Sequence, residues 1–104
     1  MDMTEIKEGS FEWALLMLKH GVNMQRKNWN NKSMFVYLTT GSKVPAVHFR
    51  PDTAKHIFGD NQIEEDITIK INPHIDMMTD DGSITIGWAP SQVDMLAEDW
   101  QVFK

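Results

Sequence analysis

Residues Trp88 to Trp100 read WAPSQVDMLAEDW, with Ser91, Gln92 and Asp94 set between the bracketing indoles and beside apolar Met95 and Leu96. Those polar side chains cannot all be buried in one short helix without partners, because an unpaired buried polar group is costly. They face water or a polar ligand. The same mixed character marks KNWNNKSMF, Lys27 to Phe35, and NPHIDMMTDDG, Asn72 to Gly82. Each places aromatic or methionine side chains next to amide, cationic or carboxylate groups, the composition of a pocket lining.

Trp29 with Asn30 and Lys32 could form a platform. An indole stacks on a flat ring while the amide and ammonium meet hydroxyl or phosphate oxygens. A tryptophan folded back over the core fits the same residues. His74 and Asp76 are two apart, so on a strand they share one face. Open readings are a metal pair, an acid–base pair, a pair that fixes ligand hydroxyls or amides, and a plain hydrogen-bonded strand pair. A metal needs a further ligand, and nothing in the spacing of His48 or His56 ties either to this face; a metal-free role is the more economical. Ser91, His74 and Asp94 could imitate a hydrolytic triad, but Ser91 lies in APSQ rather than a glycine-rich elbow. The glycines form no phosphate loop or dinucleotide fingerprint. The eight methionines, Met34, Met77 and Met78 among them, are expected mainly in the core.

The chain has 104 residues and is expected to form a single domain. At this size a ligand site forms more readily between subunits than inside one, so a homo-oligomer is expected. Cysteine is absent, which excludes disulfides and thiolate zinc sites. The longest apolar run, Trp13 to Leu18, is far too short to span a bilayer. No membrane partner and a cytoplasmic location are expected. The net charge of −5 disfavours polymeric nucleic acid. Arg26, Lys27 and Lys32 nevertheless cluster around Trp29 without an intervening acid, and a small anion needs only such a patch.

These residues need elements to position them. Residues 1–9 read as a polar leader that frays. Ser10 caps a helix over Phe11 to His20, with Phe11, Leu15, Leu18 and Val22 at helical spacing and Gly21 as terminator. A short strand follows at Val22 to Arg26, then a loop at Asn28 to Ser33 and a buried strand at Met34 to Thr40. Residues 41–66 form a variable, insertion-like segment, with a helical turn or two at Asp52 to Phe58 and a solvated acidic loop at Asp60 to Asp66. Ile67, Ile69 and Ile71 alternate as a strand that His74 to Met77 could continue beyond Pro73. Asp81-Gly82 turns the chain into a return strand, Ser83 to Trp88, with Ile84, Ile86 and Trp88 on one face. A short helix at Ser91 to Ala97 and a strand at Trp100 to Phe103 follow. The class is α+β: an antiparallel sheet, one principal N-terminal helix and a short C-terminal helical turn.

Taken together, K-x-W-N-x-K-x-M-F (Lys27 to Phe35), P-H-I-D-M (Pro73 to Met77) and W-x-x-S-Q-x-D-M-L-A-E-D-W (Trp88 to Trp100) resemble the second Thoeris anti-defence family of phage proteins, formerly a domain of unknown function. The resemblance covers Phe11 to about Leu38 and Asn72 to Val102. It implies a sponge that binds a cyclic nucleotide immune signal, glycocyclic ADP-ribose or a related cyclic oligonucleotide. The signal is held intact in the infected bacterial cell and the defence is not activated. It also implies a homotetramer with pockets at subunit interfaces, whereas size alone fits a dimer or a tetramer. The loop after Trp29 departs from the family's glycine-rich pattern.

The expected function is therefore non-enzymatic sequestration, with no cofactor and no metal. The expected ligand set is Trp29, Asn30, Lys32, Met34, Phe35, Pro73, His74, Asp76, Trp88, Ser91, Gln92 and Asp94. The alternatives are a phosphodiesterase or hydrolase that uses His74 and Asp76 on the same kind of nucleotide, and a structural phage protein without a small ligand.

Overall fold

A computed structural model describes residues 5–104. The fold is α+β, with antiparallel sheets of five and two strands. Its contacts divide it into two compact units, one running through Thr39 and resuming at His74–Lys104, the other Thr40–Pro73.

The first unit begins with α1, Phe11–Lys19, whose N-cap Ser10 accepts a hydrogen bond from the backbone N–H of Trp13 at 3.3 Å. The chain leaves the helix through Gly21, whose φ of +84° suits a residue without a side chain. Five strands follow: β1 Met24–Arg26, β2 Phe35–Thr39, β5 His74–Met78, β6 Ile84–Thr85 and β7 Trp100–Val102. Their spatial order is β6-β5-β2-β1-β7. Met24 pairs with both Val36 and Val102, and Val36 pairs with Met77, so these side chains share one face. Helix α1 covers that face, where Ala14, Leu18, Met24, Val36, Met77 and Trp100 form the core. Gln25, Gln101, Phe35, Tyr37, His74 and Asp76 alternate onto the other face. Between β6 and β7 lies α3, Gln92–Leu96.

The second unit pairs β3, Ser42–Pro45, with β4, Thr68–Ile71, and places Val44 opposite Ile69. It also holds α2, Pro51–Phe58, which starts on a proline and stops at Gly59. The segment read as insertion-like, residues 41–66, lies inside this unit, which extends to Pro73.

The expected leader falls in part on residues 1–4, outside the described residues. Gly9 and Ser10 are buried, and the Gly9 carbonyl accepts from the Trp100 N–H at 2.9 Å. The structure corrects the sequence reading in two places. Strand β5 does not continue β4, since the two belong to different sheets. Proline lacks the N–H that a ladder needs, and the chain changes partner there. The return strand is also shorter than expected. It ends at Thr85, and Ile84 and Ile86 are 52% and 74% exposed. Gly87, at φ +76°, redirects the chain so that Trp88, and not the isoleucines, packs on the core.

Candidate functional site

Buried Arg26 organises the end of the first unit. Its Nε donates to Asp99 Oδ1 and its Nη1 to Asp94 Oδ1, each at 2.9 Å. The hydrogen bond that Arg26 donates to Asp99 comes first in raising the Arg26 pKa; burial opposes it, and Asp94 adds to it. Burial pushes both acids up, but Arg26 and nearby backbone N–H groups outweigh it and hold them below the usual carboxylate range. All three groups are therefore charged, and Arg26 is spent inside the protein.

Ser91 and Asp94 are likewise occupied. They form a capping box on α3: Ser91 Oγ accepts from the Asp94 N–H, and Asp94 Oδ2 accepts from the Ser91 N–H, both at 3.0 Å. Gln92 is exposed on the same turn. Since the Asp94 carboxylate holds Arg26 and the helix cap, it does not orient a histidine for Ser91.

Trp29 and Trp88 meet Trp100 edge-on, with ring centroids 5.5 and 6.3 Å away, and each other at 6.4 Å. Trp29, Met34 and Trp88 are half-buried against the core. Trp29 is thus part of an aromatic cluster as well as of its loop. Asn30 is exposed, and Lys32 Nζ donates to the Lys27 carbonyl.

Phe35, His74 and Asp76 lie on the opposite sheet face. Phe35 stacks on Phe103 at 4.3 Å. Asp76 is 4% exposed and accepts from Thr39 Oγ1 at 2.6 Å and from the Gly87 N–H at 2.9 Å; His74 Nε2 is 3.4 Å away. Burial pushes its carboxyl up, but those hydrogen bonds and His74 bring the net value below the ordinary one. Pro73 is exposed and closes the second unit, where its ring and Ile71 leave Gly41 no room for a side chain. The expected ligand set is therefore distributed over several places rather than gathered in one. No group of His, Asp or Glu able to hold a metal occurs among the described residues.

A cleft of about 670 Å³ opens along β7. Its lining includes Trp13, Gln25, Gln101, Lys27, Lys32 and Lys104, together with Glu8 and Glu98. Gln25 donates to the carbonyls of Lys32 and Met34 and accepts from Gln101 Nε2, each at 3.0 Å, so one amide ties β1, β7 and the Lys27–Met34 loop together. Of the expected ligand set only Lys32 lines this cleft.

The Tad2-like family, described as a Thoeris anti-defense 2-like domain, matches residues 9–103. The chain belongs to this family. It is 35% identical over 94 residues to "Thoeris anti-defense 2" of Bacillus phage SP01, covering 89% of this chain and 92% of that protein. The Tad2-like match takes in the middle segment that the sequence motifs left uncovered. Within this Tad2-like chain, sequence reasoning missed Trp13, Gln25, Gln101 and Lys104 as neighbours of Lys32. The signal for the two glutamines is their place at the centre of the short strands MQR and WQV, on the face away from the core; Trp13 and Lys104 carry none.

Proposed function

We propose that this chain is a non-enzymatic phage protein that binds and sequesters a cyclic nucleotide immune signal and so blocks anti-phage defence in the infected cell. Membership of the Thoeris anti-defense 2-like family carries the reading. The chemistry of the β7 cleft supports it. Lysines, amides and an indole line the cleft, and such groups hold a nucleotide without transforming it. The state of Ser91 and Asp94, bonded to each other in a helix cap, argues against a hydrolytic triad at Ser91. We further propose a homotetramer, or a dimer, because a chain of this size completes a ligand site more readily with a second copy.

The test is recovery. Purified protein is mixed with excess glycocyclic ADP-ribose, separated from free ligand and denatured. Release of the unaltered nucleotide, in amounts no greater than the number of protein chains, is expected. Turnover beyond that number, or no retained nucleotide at all across a panel of cyclic nucleotides, would overturn the proposal.

A further inference from the structure

We infer that the sheet face turned away from α1 is the surface on which a second copy of this chain packs. This rests on the self-association proposed above and gives it a place. The register assembles the face. Ile84 lies opposite Met78, and Met78 opposite Phe35. Phe35 stacks on Phe103 at 4.3 Å between centroids and meets Tyr37 at 5.9 Å. An apolar strip therefore runs from the edge strand β6 across β5 and β2 to the residue after β7. Both helices of the first unit lie on the other side. Helix α1 packs over Met24, Val36 and Met77. Helix α3 is held there too, because Asp94 bonds Arg26 and Trp100, whose side chains alternate away from Gln25 and Gln101. Met78, Phe35, Tyr37 and Phe103 are consequently only half-buried. Ile84 is 52% exposed, and Ile86, two residues further along the same edge, 74%. A sheet apolar on both faces but covered on one is short of a layer, and a second sheet packed face to face supplies it.

Charge selects the occupant. Each chain carries a net charge of −5, so two copies repel one another over most of their surfaces. They meet closely only where neither presents a charge. From Gly82 to Val93 the sequence has no Lys, Arg, Asp or Glu. Among the described residues of the face, the one carboxylate is Asp76, which is 4% exposed and already accepts from Thr39 and Gly87, with His74 beside it. Lys27, Lys32 and Lys104 lie toward β7, which centres the contact on the β6 side. A basic partner would find no exposed carboxylate on the strip, and an acidic partner no exposed lysine near Ile84. The same uncharged strip on a second copy fits it, since a two-fold axis sets apolar surface against apolar surface and makes every contact twice.

The experiment is sedimentation velocity on the intact chain and three variants across the micromolar range. Ile84→Glu and Ile86→Glu each put a carboxylate on the face. Leu96→Glu puts one on α3, where Leu96 is 80% exposed on the opposite side of the sheet. All three positions are exposed, so the thermal midpoints should hardly change, and two variants on the face guard against one that misfolds. The wild type should sediment as an oligomer. Ile84→Glu and Ile86→Glu should each raise its dissociation constant at least about tenfold, because the new carboxylate would be buried without a partner. Leu96→Glu should leave it unchanged. Wild-type mass in both face variants would overturn the inference, as would dissociation by Leu96→Glu alone. So would a wild type that is monomeric throughout, or one that carries a foreign protein released by Ile84→Glu. Nucleotide retention by the same samples keeps the two proposals apart. An oligomer that retains the nucleotide and resists both face variants would sink the face and spare the function. Dissociation by the face variants of a protein that retains no cyclic nucleotide would do the reverse.

Discussion

Asp94 receives Trp100 through its backbone and Arg26 through its side chain. The indole Nε1 of Trp100 donates to the Asp94 carbonyl at 3.0 Å, while the carboxylate takes the guanidinium at 2.9 Å. One residue of a five-residue helix is thereby fixed to the aromatic cluster and to strand β1 at once.

Arg26→Met should destabilise the protein by about 3 kcal/mol, because removal of one member of a buried ion cluster leaves the others without compensation. Asp94→Ala should cost a comparable amount, since it removes both the ion pair and the helix cap. Urea unfolding measures both. A loss below about 1 kcal/mol for Arg26→Met would mean that water replaces the guanidinium.

Stability should depend on acid in a defined direction. Asp76, Asp94 and Asp99 are held below their ordinary value of 3.8, and Asp81, bonded by Ser83 and Thr79, lies at about 2. A carboxylate with a depressed folded pKa gives stability that is complete above the unfolded value and lost as pH falls through the folded one. The urea midpoint should be unaffected by these groups from pH 7 to about 5 and decline below about pH 4. Arg26→Met should make that decline shallower, since Asp94 and Asp99 then lose their partner. A steeper decline in the variant would contradict the assignment.

Gly9→Ala should destabilise by about 1–3 kcal/mol. The backbone at Gly9 has a φ of +97°, and a Cβ there would come within 2.6 Å of the Glu98 carbonyl oxygen. Gly82→Ala is the control, with a similar φ of +84° but nothing near the added carbon. The difference between their thermal midpoints isolates the clash. Equal losses would show that the Lys7–Ser10 segment moves aside freely.

Trp29→Ala should cost about 2 kcal/mol of stability, in keeping with a large but only half-buried side chain. Trp88 and Trp100 lose an edge contact, so tryptophan fluorescence should change by more than one fluorophore's share. A variant with wild-type stability would place Trp29 outside the cluster's energetics and return it to the role of a ligand platform.

Helix α1, its Ser10 cap, the loop around Trp29 and the strand from Phe35 were legible in the sequence, because each is specified by neighbours within a few residues. The capping role of Ser91 was not drawn from its spacing to Asp94, although the pattern is local. The β7 cleft was illegible for a physical reason. It exists only because Gln25 pairs with Gln101 and Arg26 with Trp100, and no short-range pattern sets such a register. His74 and Asp76 were correctly placed on one strand face, yet the partners that occupy Asp76, Thr39 and Gly87, come from other parts of the chain.

Strand β1 takes its place between β2 and β7, and β7 is made only after every other strand of that sheet. During synthesis the β2 side of β1 can pair early, while its other edge, with the Arg26 charge beside it, must wait for residues 99–102. Contacts so distant in sequence slow folding, because a long loop must close before they repay it. The emerging chain therefore passes through a stage in which β1 is an open edge, and an unpaired edge is a template for association. Encounters with other nascent copies fall in that interval, before the buried guanidinium has acquired its carboxylates.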